Sequence, residues 1–244
     1  MDKDVVSLSD IDTERWGVTS AWARNVSTAS LPEVMSFCME NGVTLLMVRC
    51  STSDLATAQA MEAQGFLLMD TLVYFDRPLQ GADVSDPNRK VTIRPATPND
   101  TDAVREVAAA SFAGYFGHYH ADPRLDRELC DAVYTSWAHR SCLDRAVVDA
   151  VFVAELEGQV VGFATVRLSG TEECEWVLSG VLPTARRQGI YRSFLLTVME
   201  WGIQHGAKRM VLNTQVNNTA VQKVWVREGY EPRNSYYTFH KWFS

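Results

Sequence analysis

The sequence predicts a mixed α/β fold in which a large sheet is flanked by helices, with a truncated copy of the same unit at the N-terminal end. Three observations carry that prediction. Residues 172–192, EECEWVLSGVLPTARRQGIYR, pass from an apolar strand pattern through a polar turn into an amphipathic segment. Residues 91–168 read as a strand, two helices and a hairpin. Two glycine pairs, Gly42/Gly65 and Gly206/Gly229, share one internal spacing, and in that register Ala56 falls on Ala220 and Phe66 on Tyr230.

Taken in order, residues 1–30 hold Trp16 and Trp22 but little periodicity. Leu31, Val34, Met35 and Cys38 have helical spacing over 31–41, with Pro32 near the start and Gly42 past the end. Residues 43–48 form an apolar run of buried-strand type. Asp54 is placed to cap a helix that ends at Gly65, and 66–75 is strand-rich. Residues 77–89 mix Pro, Gly and Asp, which divides the chain into 1–77, a linker at 78–90, and 91–244.

The second part opens on the strand VTIRPA, and the Asn99-Asp-Thr-Asp stretch caps the helix over 101–111. An aromatic loop follows at 112–125, then a helix over 126–140. Residues 151–156 and 159–168 form a hairpin turned at Glu157-Gly158. After the strand–turn–helix unit, the pattern continues as helix 191–205, strand 210–213, helix 218–228, and strands through 243.

Composition excludes several classes of function. A chain of 244 residues, 46% hydrophobic and 22% charged, can bury a substantial core. No apolar run approaches the ~20 residues of a membrane helix, and the start MDKDVVSLSD is too polar for a secretory signal. Five cysteines without a C-x-x-C pair indicate neither a disulfide framework nor a zinc site, so a reducing cytoplasm and no metal cofactor are expected. A formal net charge of −7 argues against general nucleic-acid binding.

Positive charge is nevertheless concentrated at one turn, in Arg186, Arg187 and Arg192. Successive backbone N–H groups there, with the positive end of the following helix, suit a phosphate group, and Gly189 leaves room for close approach. Strand, V-x-P, then R-R-x-G-I and a helix resembles the acyl-CoA-binding motif of the GNAT N-acyltransferases, usually Q/R-x-x-G-x-G/A. Arg186 and Gly189 match it, while Tyr191 stands where Gly or Ala is usual. The element order of residues 91–243 is also that of the GNAT fold.

The resemblance implies acyl-CoA as co-substrate. It places the pantetheine arm along the central strand at Ser179, Gly180 and Val181, where a backbone N–H would polarise the thioester carbonyl. It implies a phosphate contact by Arg186, Arg187, Gln188, Gly189, Ile190 and Tyr191, with Asn218 against the arm. Asn218 serves equally as a helix cap. Trp225 stands seven residues later, where the family often has a tyrosine that protonates the leaving thiolate. An indole N–H donates a hydrogen bond but releases no proton, so that proton must come from water, the amine or another tyrosine.

For the base, the loop AGYFGHYHADPR offers the histidine pair His118 and His120, whose imidazoles titrate in the useful range. Glu173 and Glu175 at the start of the central strand are the carboxylate candidates, and alternation places Trp176 on the opposite face in the core. Tyr115, Tyr119 and Arg124 are candidate acceptor contacts. The truncated N-terminal copy, this loop with W-A-x-R-S-C after it, and the tail Y-Y-T-F-H-K-W-F together resemble the dTDP-amino-sugar N-acyltransferases. That implies transfer of an acetyl or longer, hydroxylated or plain, short acyl chain to the amine of a dTDP-linked aminodideoxysugar for surface polysaccharide. Another amine acceptor, or a CoA-binding module without catalysis, remains an alternative reading. GNAT relatives are often dimers, so a homodimer is among the expected states.

Overall fold

The structure is a computed structural model describing residues 5–86, 88 and 90–243. Residues 1–4, which open the sequence read above, and Pro87 and Arg89 of the expected linker lie outside the described residues.

The first part of the chain forms β1 (Val6–Leu8), α1 (Asp10–Trp16), β2 (Ser20–Ala23), α2 (Leu31–Glu40), β3 (Leu45–Ser51), α3 (Leu55–Ala63) and β4 (Leu67–Pro78). The second forms β5 (Thr92–Pro95), α4 (Thr101–Phe112), α5 (His118–Ala121), α6 (Arg127–Leu143), β6 (Ala150–Leu156), β7 (Gln159–Ser169) and β8 (Glu173–Val181). It continues with α7 (Ile190–Gln204), β9 (Arg209–Gln215), α8 (Thr219–Arg227) and β10 (Glu231–Trp242). Local chemistry explains several boundaries. The Asp54 carboxylate accepts from Thr57 N at 3.1 Å to start α3, and Asp126 accepts from Leu129 N at 3.0 Å to start α6. Glu157 and Gly158 both have positive φ, as a two-residue hairpin requires.

The strands make one ten-stranded sheet in the order β1-β2-β3-β10-β4-β9-β8-β7-β6-β5. Its centre is an exchange: β4 of the first part inserts between β9 and β10 of the second, and β10 in turn lies between β3 and β4. The offset that carries Gly42 onto Gly206 also carries β3 onto β9 and α3 onto α8, residue for residue. It maps the pair Tyr236↔Ser51 onto Leu72↔Gln215, with the pair Leu72↔Tyr236 at the centre of the pseudo-twofold. The repeat seen in the glycines is thus a repeat of topology, joined through exchanged strands.

Residues of alternate parity in β3 separate the layers. Leu46, Val48 and Cys50 pack with α2 and α3 on one face. Leu45 and Met47 pack on the other with Tyr119 of α5 and with Cys130 and Val133 of α6. The α7 side of the second part is a separate core built around Phe194, Leu195, Met199, Met210 and Leu212.

Two expectations need correction. The stretch 112–125 is not simply a loop: it contains α5, and both of its histidines are buried. The end of the chain is one twelve-residue strand with two register shifts, not several strands. The elements β1, α1 and β2 occupy the region that showed no periodicity.

Candidate active site

The strand β8 pairs with β9 in parallel only from Glu173↔Arg209 to Trp176↔Leu212. Beyond Trp176 the two strands separate, so the backbone of residues 177–181 has no ladder partner on that side among the described residues. The separation starts at a bulge. Val166 faces Trp176 while Thr165 faces Leu178, leaving Val177 as the extra residue in β8. The bulge switches faces: Trp176 belongs to the α7 core, and Leu178 belongs to the core under α4 and α6. Gly180 faces Phe163, and a Cβ there would sit 2.8 Å from Ser111 Oγ, so only glycine lets α4 approach this closely.

At the far end of β8 the chain makes a 3₁₀ turn over Pro183–Ala185 and reaches α7 through exposed residues. Arg187 (φ 65°) and Gly189 (φ 79°) are both left-handed, a backbone form that gathers successive N–H groups into a concave cradle at the helix start. The Asn88 side chain lies against this turn, donating to Gln188 O at 3.0 Å. Arg186 reaches back towards Ser111 O, and Arg192 pairs with Glu228 at 2.9 Å.

A cavity of about 820 Å³ runs from the separated strands to the first part of the chain, with the sheet as its floor. Arg49, Asp70, Leu72 and Tyr74 belong to that floor, and α1, α4 and α6 overhang it. Arg49 and Asp70 flank Thr238 across β3, β10 and β4. In this row Arg49 Nε, Thr238 Oγ1 and Asp70 Oδ1 are buried without a hydrogen-bond partner among the described residues. Buried polar atoms are seldom left unpaired, so such a row marks a place for a polar ligand. The guanidinium groups of Arg24 and Arg49 both lie 5.1 Å from the Trp22 ring centroid. Desolvation and then the Arg49 charge lower the pKa of Arg24, although its side chain keeps contact with solvent. Both cations line the cavity beside one indole ring, where an anion would stabilise them.

The acetyltransferase (GNAT) family matches residues 107–230. The chain belongs to the GNAT acetyltransferase family. This GNAT chain is 26% identical over 198 residues to the spore coat polysaccharide biosynthesis protein SpsD of Bacillus subtilis, a match covering 81% of the chain and 66% of that protein. It therefore spans just under two thirds of that relative's length. It is 23% identical over 227 residues to the dTDP-fucosamine acetyltransferase of Escherichia coli O6:H1, covering 93% of each. A GCN5-related N-acetyltransferase from Sphaerobacter thermophilus shares the fold with a TM-score of 0.67 at 14% identity, covering 97% of this chain and 76% of the other.

The family uses acyl-CoA, and the residues present fit it. A cradle of N–H groups stands at the start of α7, and an unpaired strand edge leads from it to the cavity. Ser179 lines the cavity, while Gly180 and Val181 continue the edge beyond it. Asn218 caps no backbone with its side chain but donates to Thr214 Oγ1 at 3.0 Å and lines the gap. Ile190 is buried as the first residue of α7. The two departures from the family pattern meet each other: Trp225 Nε1 donates to Tyr191 Oη at 2.9 Å, and Tyr191 stacks on Trp176. Among the described residues there is no metal-holding cluster and no helix long and apolar enough to cross a membrane.

The structure separates the two candidate histidines. His118 lines the cavity, whereas His120 faces α6, accepting from Gly117 N at 3.1 Å and bonding Asp131 at 3.0 Å through Nε2. Glu173 lies at the closed, paired end of β8 and is ion-paired to Arg233 at 2.7 Å; Glu175 is similarly held by Arg167. Tyr115 and Tyr119 line the cavity, and burial pushes the Tyr115 hydroxyl up to about 12. Arg124 lies outside it, exposed over the ring of Trp242. Sequence reasoning missed Asp12, Trp22, Arg24, Arg49 and Asp70, all from the first part of the chain. One signal was present: Arg49 is a charged residue inside the otherwise apolar strand LLMVRCS.

Proposed function

We propose that this chain transfers an acyl group from acyl-CoA to the amine of an anionic nucleotide-linked amino sugar, with a dTDP-linked aminodideoxysugar as the leading acceptor. One observation carries the reading. The cavity joins the open edge of β8 to Arg24, Arg49 and Asp70, and the last two carry buried polar atoms without a hydrogen-bond partner among the described residues. A diphosphate matches the paired guanidinium groups, and sugar hydroxyl or amine donors match Asp70. The names of the two relatives, a spore coat polysaccharide protein and a dTDP-fucosamine acetyltransferase, support the same acceptor class.

In this reading the α7 cradle holds the diphosphate of the co-substrate, and the free N–H groups of residues 177–181 polarise the carbonyl. The departing thiolate takes a proton from Tyr191. The Tyr191 oxygen already accepts from Trp225, which leaves its own O–H free to point at a group in the gap. Residues 1–77 serve as the wall of the acceptor site and do not bind CoA. The five cysteines are free thiols, which fits a cytoplasmic location. Thiol release, followed with acetyl- and longer acyl-CoAs against dTDP-amino sugars, uncharged amino sugars and polyamines, tests the proposal. Preferred turnover of a dTDP-amino sugar is expected; equal or better turnover of a polyamine would overturn it.

A further inference from the structure

His118 does not stand alone at the cavity wall. Its Nδ1 lies 3.0 Å from His240 Nε2, and His240 Nδ1 lies 2.8 Å from Asp122 Oδ2. All three residues are more than nine-tenths buried. They come from α5, from the segment after it, and from the exchanged strand β10, so the strand exchange assembles the chain of bonds.

The donors and acceptors can be ordered from one end. Trp242 Nε1, which can only donate, bonds Asp122 Oδ2 at 2.8 Å, and Arg124 N donates to Asp122 Oδ1 at 3.0 Å. Asp122 is thus an acceptor on both oxygens. Burial pushes its pKa up, but the bonds from His240, Trp242 and Arg124 outweigh burial and hold it lowered. His240 must therefore donate from Nδ1, which leaves a bare Nε2 in the neutral ring. That bare nitrogen accepts from His118 Nδ1–H, so the Nε2 of His118 carries the lone pair. No hydrogen bond engages this Nε2 among the described residues, and His118 lines the cavity. His120 has no such freedom, because both of its nitrogens are engaged.

We propose that Asp122 and His240 are positioning residues that fix His118 with a bare Nε2, and that His118 takes the proton of the acceptor ammonium. The proposal rests on the acyl-transfer reading above. The proton balance closes without another reactant. The ammonium first gives one proton to His118 Nε2, which frees the nitrogen lone pair to form the C–N bond, and His118 later releases that proton to solvent. As the tetrahedral adduct collapses and the C–S bond breaks, Tyr191 gives its proton to the sulfur and regains one from the adduct nitrogen, so the thiol leaves and Tyr191 ends protonated. Burial, and then His240 beside it, hold the His118 pKa well below the ordinary imidazole value, which keeps its Nε2 bare, and the Asp122 carboxylate behind His240 faces the charge that His118 gains.

Long-range ¹H–¹⁵N correlation spectra of the full chain report which ring nitrogen of His118 carries the proton. The expected result is Nδ1–H with a bare Nε2, and an Nε2–H form in the wild type overturns the proposal with no acceptor needed. The Asp122→Asn variant removes the carboxylate and sets its amide N–H against either the Arg124 donor or the Trp242 and His240 donors, so the order of donors is no longer fixed and the His118 proton should spread between Nδ1 and Nε2. Turnover should then fall about 100-fold or more, the low end of general base catalysis, with the KM for acyl-CoA within about twofold of wild type. His240→Asn, which keeps a donor for Asp122 but withdraws the partner of His118, is the second variant and should show a similar loss. Wild-type turnover in His118→Ala, or in both positioning variants, overturns the proposal. Failure of the wild type with every amine would overturn the acyl-transfer reading, a separate result from the tautomer.

Discussion

Replacing Arg49 by Met tests the acceptor site at its most informative residue. The unbranched side chain preserves packing on Trp22 while removing the guanidinium. In the wild type, Arg49 Nε is buried without a partner, and its charge opposes that of Arg24. A charge-assisted hydrogen bond to a phosphate oxygen is worth roughly 1.5–3 kcal/mol. At ~1.4 kcal/mol per factor of ten, the KM for a nucleotide-sugar should rise by about 10- to 150-fold. The unliganded protein should not lose stability, because an orphaned donor and a like-charge contact disappear together. Steady-state kinetics on a dTDP-amino sugar and on the corresponding uncharged amino sugar, together with thermal melts, separate these effects. The KM increase should be confined to the anionic acceptor, and the melting temperature should be unchanged or higher. An equal increase for both acceptors would mean that Arg49 shapes the cavity only, and an unchanged KM for the nucleotide-sugar would refute the phosphate assignment.

The other predictions test separate parts of the structure. Gly189→Glu puts a carboxylate into the N–H cradle at a residue with φ 79°, with its Cβ 3.1 Å from Asn88 Nδ2. Acyl-CoA affinity measured by calorimetry should drop well beyond that of Gly189→Ala, which reports the backbone strain and the Cβ contact with Asn88 without the carboxylate. Tyr191→Phe should lower turnover by on the order of 100-fold, the low end of acid catalysis because a thiol of pKa about 8.5 leaves readily. It should also destabilise the fold by about 1–3 kcal/mol by stripping the acceptor from the buried Trp225 indole, and wild-type turnover would exclude Tyr191 as the acid. Asp100 is held below its ordinary pKa by hydrogen bonds from Arg94 and Thr97. A lowered folded-state pKa gives stability that is present above the unfolded value near 3.9 and is lost as pH falls through the lower folded value. Acid melts of Asp100→Asn should therefore be flatter than wild type below about pH 4, and parallel curves would contradict this. Deleting residues 1–77 removes nearly all of β4 and leaves β9 and β10 without the strand between them, so the fragment should aggregate; a monomeric, active fragment would refute the exchange.

Local chemistry made much of the fold legible, and non-local geometry hid the rest. The helices α3 and α8 could be found because Asp54 and Asn218 mark their starts and Gly65 and Gly229 follow their ends. The strands β1 and β2 have three and four residues, too short for a period to show. Nothing in the alternation of residues 173–181 reveals the extra Val177, which turns Leu178 away from the side that Trp176 faces. The candidate pair His118 and His120 could be named from the sequence, but not ranked. Only the fold shows that one side chain meets the cavity and His240 while the other meets Asp131. Arg24 and Arg49 were invisible as a pair because β2 and β3 bring them together only on the folded sheet.

In the proposed reading, the two halves of the pseudo-twofold differ in a way that gives acyl transfer to the second alone. On the second half, β8 is nine residues long and leaves β9 after Trp176, so a free edge opens beside the cavity. On the first half, all four residues of β2 pair with β3, from Ser20↔Leu45 to Ala23↔Val48, so β2 has no unpaired run among the described residues. The turn before α2 has one left-handed residue, Asn25 (φ 54°), which falls on Gly189 in the repeat, but it continues into a hydrogen-bonded pair of serines, Ser27 and Ser30, with no left-handed glycine at the helix start. An acyl-CoA would find there neither an unpaired run of β2 to extend nor the glycine-bearing cradle that starts α7. What the first half retains is the exchanged strand β4, which brings Asp70, Leu72 and Tyr74 to the cavity floor between β9 and β10. In the proposed reaction the first copy therefore needs no co-substrate site of its own: its residues line the cavity, and its strand β4 pairs with both β9 and β10.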